Sequence, residues 1–173
     1  MDNNDKKHSL DLDNAETSNN EIHYDDLTRR EVRSIIFHLL YAMDAFDYQV
    51  SLGELVDTFN RGFELQIPMD SDLHKTTAEI IKNREDLDEK IKPLLINWRF
   101  DRIGLSTKLI LRYAIWELEH SDIPHNIIIN EAIELAKCFS ETDAYKFING
   151  ILDKAVRQIR PDAITNETEE KDS

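Results

Sequence analysis

Arg29, Arg30 and Arg33 cluster where the sequence reads as the first turn of a helix. Cations are unfavourable there, because that turn carries the positive end of the helix macrodipole. A chain tuned for stability alone would place Asp or Glu at such positions, so the arginines point to an external anion. Guanidinium groups hold phosphate bidentately and stack on flat rings, which suits a nucleic acid. The plainer reading is an ordinary basic turn, or a dock for the chain's own acidic tail. Phe37 and Tyr41 follow Arg33 at a spacing of four, beside the core stripe. Aromatics next to arginines suit base stacking or a protein partner, and equally the edge of a core. Asp143, Lys146 and Phe147 repeat the pairing of charge and ring later in the chain.

Other chemistries find little support. His38, His74, His120 and His125 stand far apart, and no His-x-x-x-His pair sets two imidazoles on one helix face, so no metal site is expected. Cys138 is the single cysteine; it cannot form an internal disulfide, and it reads as buried on the apolar side of its helix. A reducing compartment, the cytoplasm, is expected. No Gly-x-Gly-x-x-Gly occurs and no glycine precedes a lysine, which removes the dinucleotide turn and the P-loop. No catalytic residues, no enzyme activity and no cofactor are expected.

These residues sit in a 173-residue chain with 35 acids, 21 Lys and Arg, and a net charge of −14. The charge is uneven. Residues 1–26 hold eight acids against two lysines, and residues 162–173 hold five acids against one lysine, which leaves −4 for residues 27–161. Both ends are poor in large apolar residues and read as disordered acidic tails. The near-neutral middle does not exclude nucleic acid. No apolar run approaches the roughly 20 residues that a membrane span needs.

Within 27–161 the apolar spacing is three and four, which predicts helices. Thr28-Arg-Arg-Glu31, Ser51-Leu-Gly-Glu54 and Ser140-Glu-Thr-Asp143 look like capping boxes. Asp70 or Asp72 can cap a third helix and Ser106 a fifth. Pro93 predicts a kink or a late start in a fourth helix that includes Trp98. Asp122-Ile-Pro124 separates the fifth helix from the sixth, and Arg160-Pro161 ends the last. The count is seven helices, an all-α bundle without clear strands.

Longer blocks carry a resemblance. Asn130-Glu-Ala-Ile-Glu-Leu-Ala-Lys137, followed by Asp143-Ala-Tyr-Lys-Phe-Ile-Asn-Gly-Ile-Leu-Asp-Lys154, resembles the C-terminal half of the NusB family of transcription antitermination factors. Leu111-Arg-Tyr-Ala-Ile-Trp-Glu-Leu118, Asp122-Ile-Pro124, Trp98-Arg-Phe-Asp-Arg102 and the Arg29-to-Tyr41 segment are similar to its other parts, over roughly residues 28–160. The resemblance implies an all-α, seven-helix fold of two packed sub-bundles. It implies that the chain pairs with the small-subunit ribosomal protein NusE, binds boxA RNA in ribosomal RNA transcripts, and joins the elongating RNA polymerase.

By the same resemblance, Arg29, Arg30, Arg33, Asp143, Lys146 and Phe147 face RNA, and Tyr41 and Glu117 face the protein partner. Gly150 would allow close helix packing, and Trp98 and Trp116 would fill the bundle. The family's frequent Ser and His are replaced by Ala144 and Tyr145, and Glu31 interrupts the arginines. The resemblance also allows a homodimer. The competing reading is a module that docks the ribosomal protein without useful RNA affinity of its own.

Overall fold

The computed structural model describes residues 21–162, and seven α-helices account for most of them. In order they are α1 (Arg29–Ala45), α2 (Leu52–Phe63), α3 (Asp72–Lys82), α4 (Arg84–Ile91), α5 (Leu105–His120), α6 (His125–Phe139) and α7 (Ala144–Ile159). Two of the three expected capping boxes form. The Thr28 hydroxyl accepts from the Glu31 N–H while the Glu31 carboxylate takes the Thr28 N–H, and Ser51 and Glu54 do the same for α2. Each box satisfies backbone donors that have no partner inside the helix.

Other ends differ from expectation. Ser71, not Asp70 or Asp72, caps α3 by accepting from the His74 N–H. Gly104, not Ser106, starts α5. The Ser140–Asp143 box does not form. Asp143 takes a left-handed backbone, φ 68°, and Glu141 instead turns toward Gly104. Helix α4 stops at Ile91, and Pro93 falls in a 3-10 turn, Lys92–Leu94. Proline lacks the N–H that would continue the α-helical ladder, so the chain leaves the helix before Trp98.

One element was unexpected. Ile22–His23, named β1, pairs in parallel with Leu65–Gln66, named β2. The Ile22 N–H donates to the Glu64 carbonyl at 2.7 Å. Four of these six amino-terminal residues, 21–26, are polar or charged, so the segment read as the end of a disordered tail is tied to the body instead. Residues 1–20 and 163–173, the rest of the two expected tails, lie outside the described residues.

Helices α1–α3 pack as one group and α4–α7 as the other, with α5 against both. Helix α5 is buried nearly all round, from Leu109 through Ile115 and on to Leu118, as a central helix must be. Its two buried charged residues, Arg112 and Glu117, both meet counter-charges. Arg112 makes a two-pronged ion pair with Asp88 at 2.6 and 2.7 Å, which fastens α4. Arg160, just past α7, donates to the carbonyls of Leu118, Ile123, Glu117 and Ser121, at 2.7 Å for Leu118. That guanidinium closes the turn between α5 and α6.

Candidate nucleic-acid interface

Helix α1 sends its three amino-terminal arginines in different directions. Arg29 is exposed, and its side chain makes no hydrogen bond or ion pair among the described residues. The Arg30 side chain is 66% exposed and grips Glu131 of α6 with two nitrogens, at 3.0 and 3.3 Å. Arg33 turns inward. It is 6% exposed and pairs with Glu117 of α5 at 2.8 Å. Burial pushes the Glu117 carboxyl above its ordinary range, and Arg33 opposes that rise. The expectation that Arg33 faces RNA and Glu117 faces a partner therefore fails for one shared reason. Each is the other's buried counter-charge, and neither can be withdrawn without stranding its partner in the core.

The aromatic arm of α1 also divides. Phe37 is 3% exposed and stacks on Phe139 at 4.8 Å, so it belongs to the core. Tyr41, 6.2 Å from Phe37, is 45% exposed and remains available to a partner.

From Arg30 a strip of charge and rings runs along α6 to α7. Glu134 and Cys138 lie within electrostatic reach of Arg30. Cys138 is exposed on this outer face, not buried as its sequence context suggested. Lys137 pairs with Glu134 at 2.9 Å, and Lys137 and Lys146 both lie over the Tyr145 ring at 5.7 Å. Lys146 pairs with Asp143 at 2.9 Å, and this bond raises the lysine's pKa. The half-buried Phe147 meets Trp98 at 5.5 Å. Trp98 is 59% exposed, so it does not fill the bundle. Gly150 is exposed too, and a β-carbon there would meet nothing within 4 Å; close packing is not what it serves.

The structure thus brings together Arg30, Asp143, Lys146 and Phe147 from the expected set, keeps Arg29 exposed on the neighbouring turn, and removes Arg33. It adds Glu131, Lys137, Tyr145 and Trp98, which the spacing of arginines and aromatics in α1 could not indicate. The replacement of His by Tyr145 was visible in the sequence; that two lysines from different elements share its ring was not. Among the described residues no group of three His, Cys, Asp or Glu side chains could hold a metal ion, and no helix is long and apolar enough to cross a membrane.

Exposed ion pairs such as Arg30–Glu131 and Lys146–Asp143 contribute little to stability and exchange readily. Their cations can be handed to phosphate, and the neighbouring rings can receive bases. An all-helical bundle with cations and rings in one outer strip has the make-up of a macromolecule-recognition protein. The NusB family profile matches residues 30–157. The transcription antitermination protein NusB of Staphylococcus haemolyticus is 37% identical over 126 residues, covering 73% of this chain and 97% of that protein. Its counterpart from Psychromonas ingrahamii is 36% identical over 141 residues, covering 76% and 90%. The solved structure of T. maritima NusB aligns with a TM-score of 0.69 at 26% identity, over 80% of this chain and 98% of that one. The chain belongs to the NusB family of transcription antitermination proteins.

Proposed function

We propose that this protein binds the boxA element of ribosomal RNA transcripts together with the ribosomal protein NusE, and joins the elongating RNA polymerase in an antitermination complex. The role is non-enzymatic, uses no cofactor, and belongs to the cytoplasm. The observation that carries the reading is the strip from Arg30 to Phe147, where cations on α1, α6 and α7 lie among the partly exposed rings of Tyr145 and Phe147. Arg29, Arg30 and Lys146 contact phosphate, while Phe147 and Tyr145 meet bases. Tyr41 supplies the contact to NusE, a role that Glu117 cannot share from inside the bundle.

A titration of a labelled boxA-type single strand, with and without NusE and at several salt concentrations, tests this. Saturable binding with a log–log salt slope near about −2, from roughly three phosphate contacts on a single strand, is the expected result. Arg30→Ala should weaken RNA capture and spare NusE pairing, and Tyr41→Ala should do the reverse.

The second reading is a NusE-docking module without RNA affinity. The pairing of Arg30 with Glu131 and of Lys146 with Asp143 favours it, because both cations are already engaged. Intact NusE pairing with no RNA binding in either condition would establish it. A homodimer through the same strip would appear as RNA binding that falls with rising protein concentration.

A further inference from the structure

We propose that the cleft between Trp98 and Phe147 is a base-binding subsite for one unpaired nucleobase that carries an exocyclic amine. The inference rests on the RNA-binding reading above and names a contact of that same surface. The loop that presents Trp98 is built to hold it outward. Helix α4 ends at Ile91, a 3-10 turn containing Pro93 follows, and Asn97 adopts φ 63°. Asparagine tolerates that left-handed backbone, which follows the buried Leu94 and leaves Ile96 and Trp98 62% and 59% exposed. The indole meets Phe147 at 5.5 Å with the planes inclined by 59°, so the two rings form an open wedge and not a closed stack.

The rest of the cleft has the polar make-up of a base reader. Arg102, Gly104, Thr107, Glu141 and Asp143 line it with the two rings. The Glu141 carboxylate occupies the space a β-carbon on Gly104 would fill, and it makes no hydrogen bond or ion pair among the described residues. Thr107 is 2% exposed, and its hydroxyl has no hydrogen-bond partner among the described residues. A carboxylate accepts from an amine and accepts nothing from a carbonyl, so Glu141 favours a base with an exocyclic amine over uracil, whose single N3–H donor lies between two carbonyls that the carboxylate repels.

Charge and continuity select nucleic acid over protein as the occupant. Residues 92–108 carry Lys92, Arg99, Arg102 and Lys108 against Asp101 alone, a net of +3 in a chain of −14. Phe147 and the Asp143–Lys146 pair end the strip already described, so a strand lying on that strip runs directly into the wedge. One turn further along α7, the bare surface at Gly150 leaves room for a sugar–phosphate backbone.

The test uses the full-length chain carrying Trp116→Phe, which leaves Trp98 as its one indole. Titration with the boxA-type strand, in the presence of NusE, should quench its fluorescence in step with binding measured by anisotropy. Trp98→Ala should weaken binding by about tenfold and Trp98→Phe by less than about threefold, as expected for loss and retention of one stacked base. Adenine or cytosine analogues lacking the amine, placed one at a time, should weaken wild-type binding at one position and leave the Glu141→Ala variant indifferent there. Unquenched Trp98 with wild-type affinity in Trp98→Ala, while Arg30→Ala still impairs binding, overturns the subsite and leaves the RNA reading standing. Failure of the wild-type chain to bind the strand at all overturns both.

Discussion

At the residue scale the informative contrast is between Arg30 and Arg33. They lie one turn apart on the same helix, and sequence spacing treats them alike. Arg33 is buried because Glu117, 84 positions away, is buried opposite it. No local pattern encodes that distance, so the ion pair was illegible while the arginine cluster was plain. Arg33→Ala should destabilise the fold by about 3 kcal/mol in urea unfolding at neutral pH, the low end for breaking a buried pair because Glu117 can take up a proton. Arg30→Ala should leave unfolding unchanged within about 0.5 kcal/mol. Burial holds the Glu117 carboxyl above its ordinary value of 4.5, so the folded chain keeps that proton more tightly than the unfolded one. The resulting stabilisation is present in full below that ordinary value and is lost as pH rises through the raised one. Glu117→Gln should be less stable overall and should lack this fall across the acidic range. A profile parallel to wild type would assign the fall to other groups.

At the element scale, two of the three capping boxes formed as their letters predict, whereas the starts of α3, α5 and α7 did not. The Thr28 and Ser51 boxes need only their own turn, and both formed. Ser140–Asp143 had the right letters, but Glu141 found a place against α5. Ser51→Ala should cost about 1 kcal/mol, read as a shift in the urea midpoint at constant slope. The bonds from Thr28 hold the Glu31 carboxyl below its usual range, so its contribution is present above about pH 4.5 and is lost as pH falls through the lowered value. Thr28→Ala should abolish that loss. On α7, Gly150→Ala should stabilise the fold by roughly 0.5–1 kcal/mol, because the helix gains conformational restriction and the added methyl meets nothing. A destabilised variant would show that the helix is tighter there than its open surface implies. Trp98 belongs to this scale as well. Its apolar character suggested a core position, and the turn at Pro93 and Asn97 decided otherwise.

At the scale of the whole molecule, the all-helical bundle was legible from periodicity and the blocks of family resemblance. The short parallel pairing of β1 with β2 was not, because two residues on each side leave no alternation to read. Charge is the other global property. Residues 1–20 contribute a net of −3 to the chain. A tethered acidic segment competes with phosphate at high effective concentration. Deleting residues 1–20, which spares β1, should tighten RNA binding and steepen its salt dependence; unchanged affinity and slope would remove any role for the segment. The closure made by Arg160 has a consequence in time. Helices α5 and α6 and the turn between them are synthesised well before the guanidinium that takes up two carbonyls of that turn and two from the end of α5. Until Arg160 has emerged the Leu118, Ile123 and Ser121 carbonyls lack that donor, so the junction of α5 with α6 is completed by a side chain that follows the last helix in the chain.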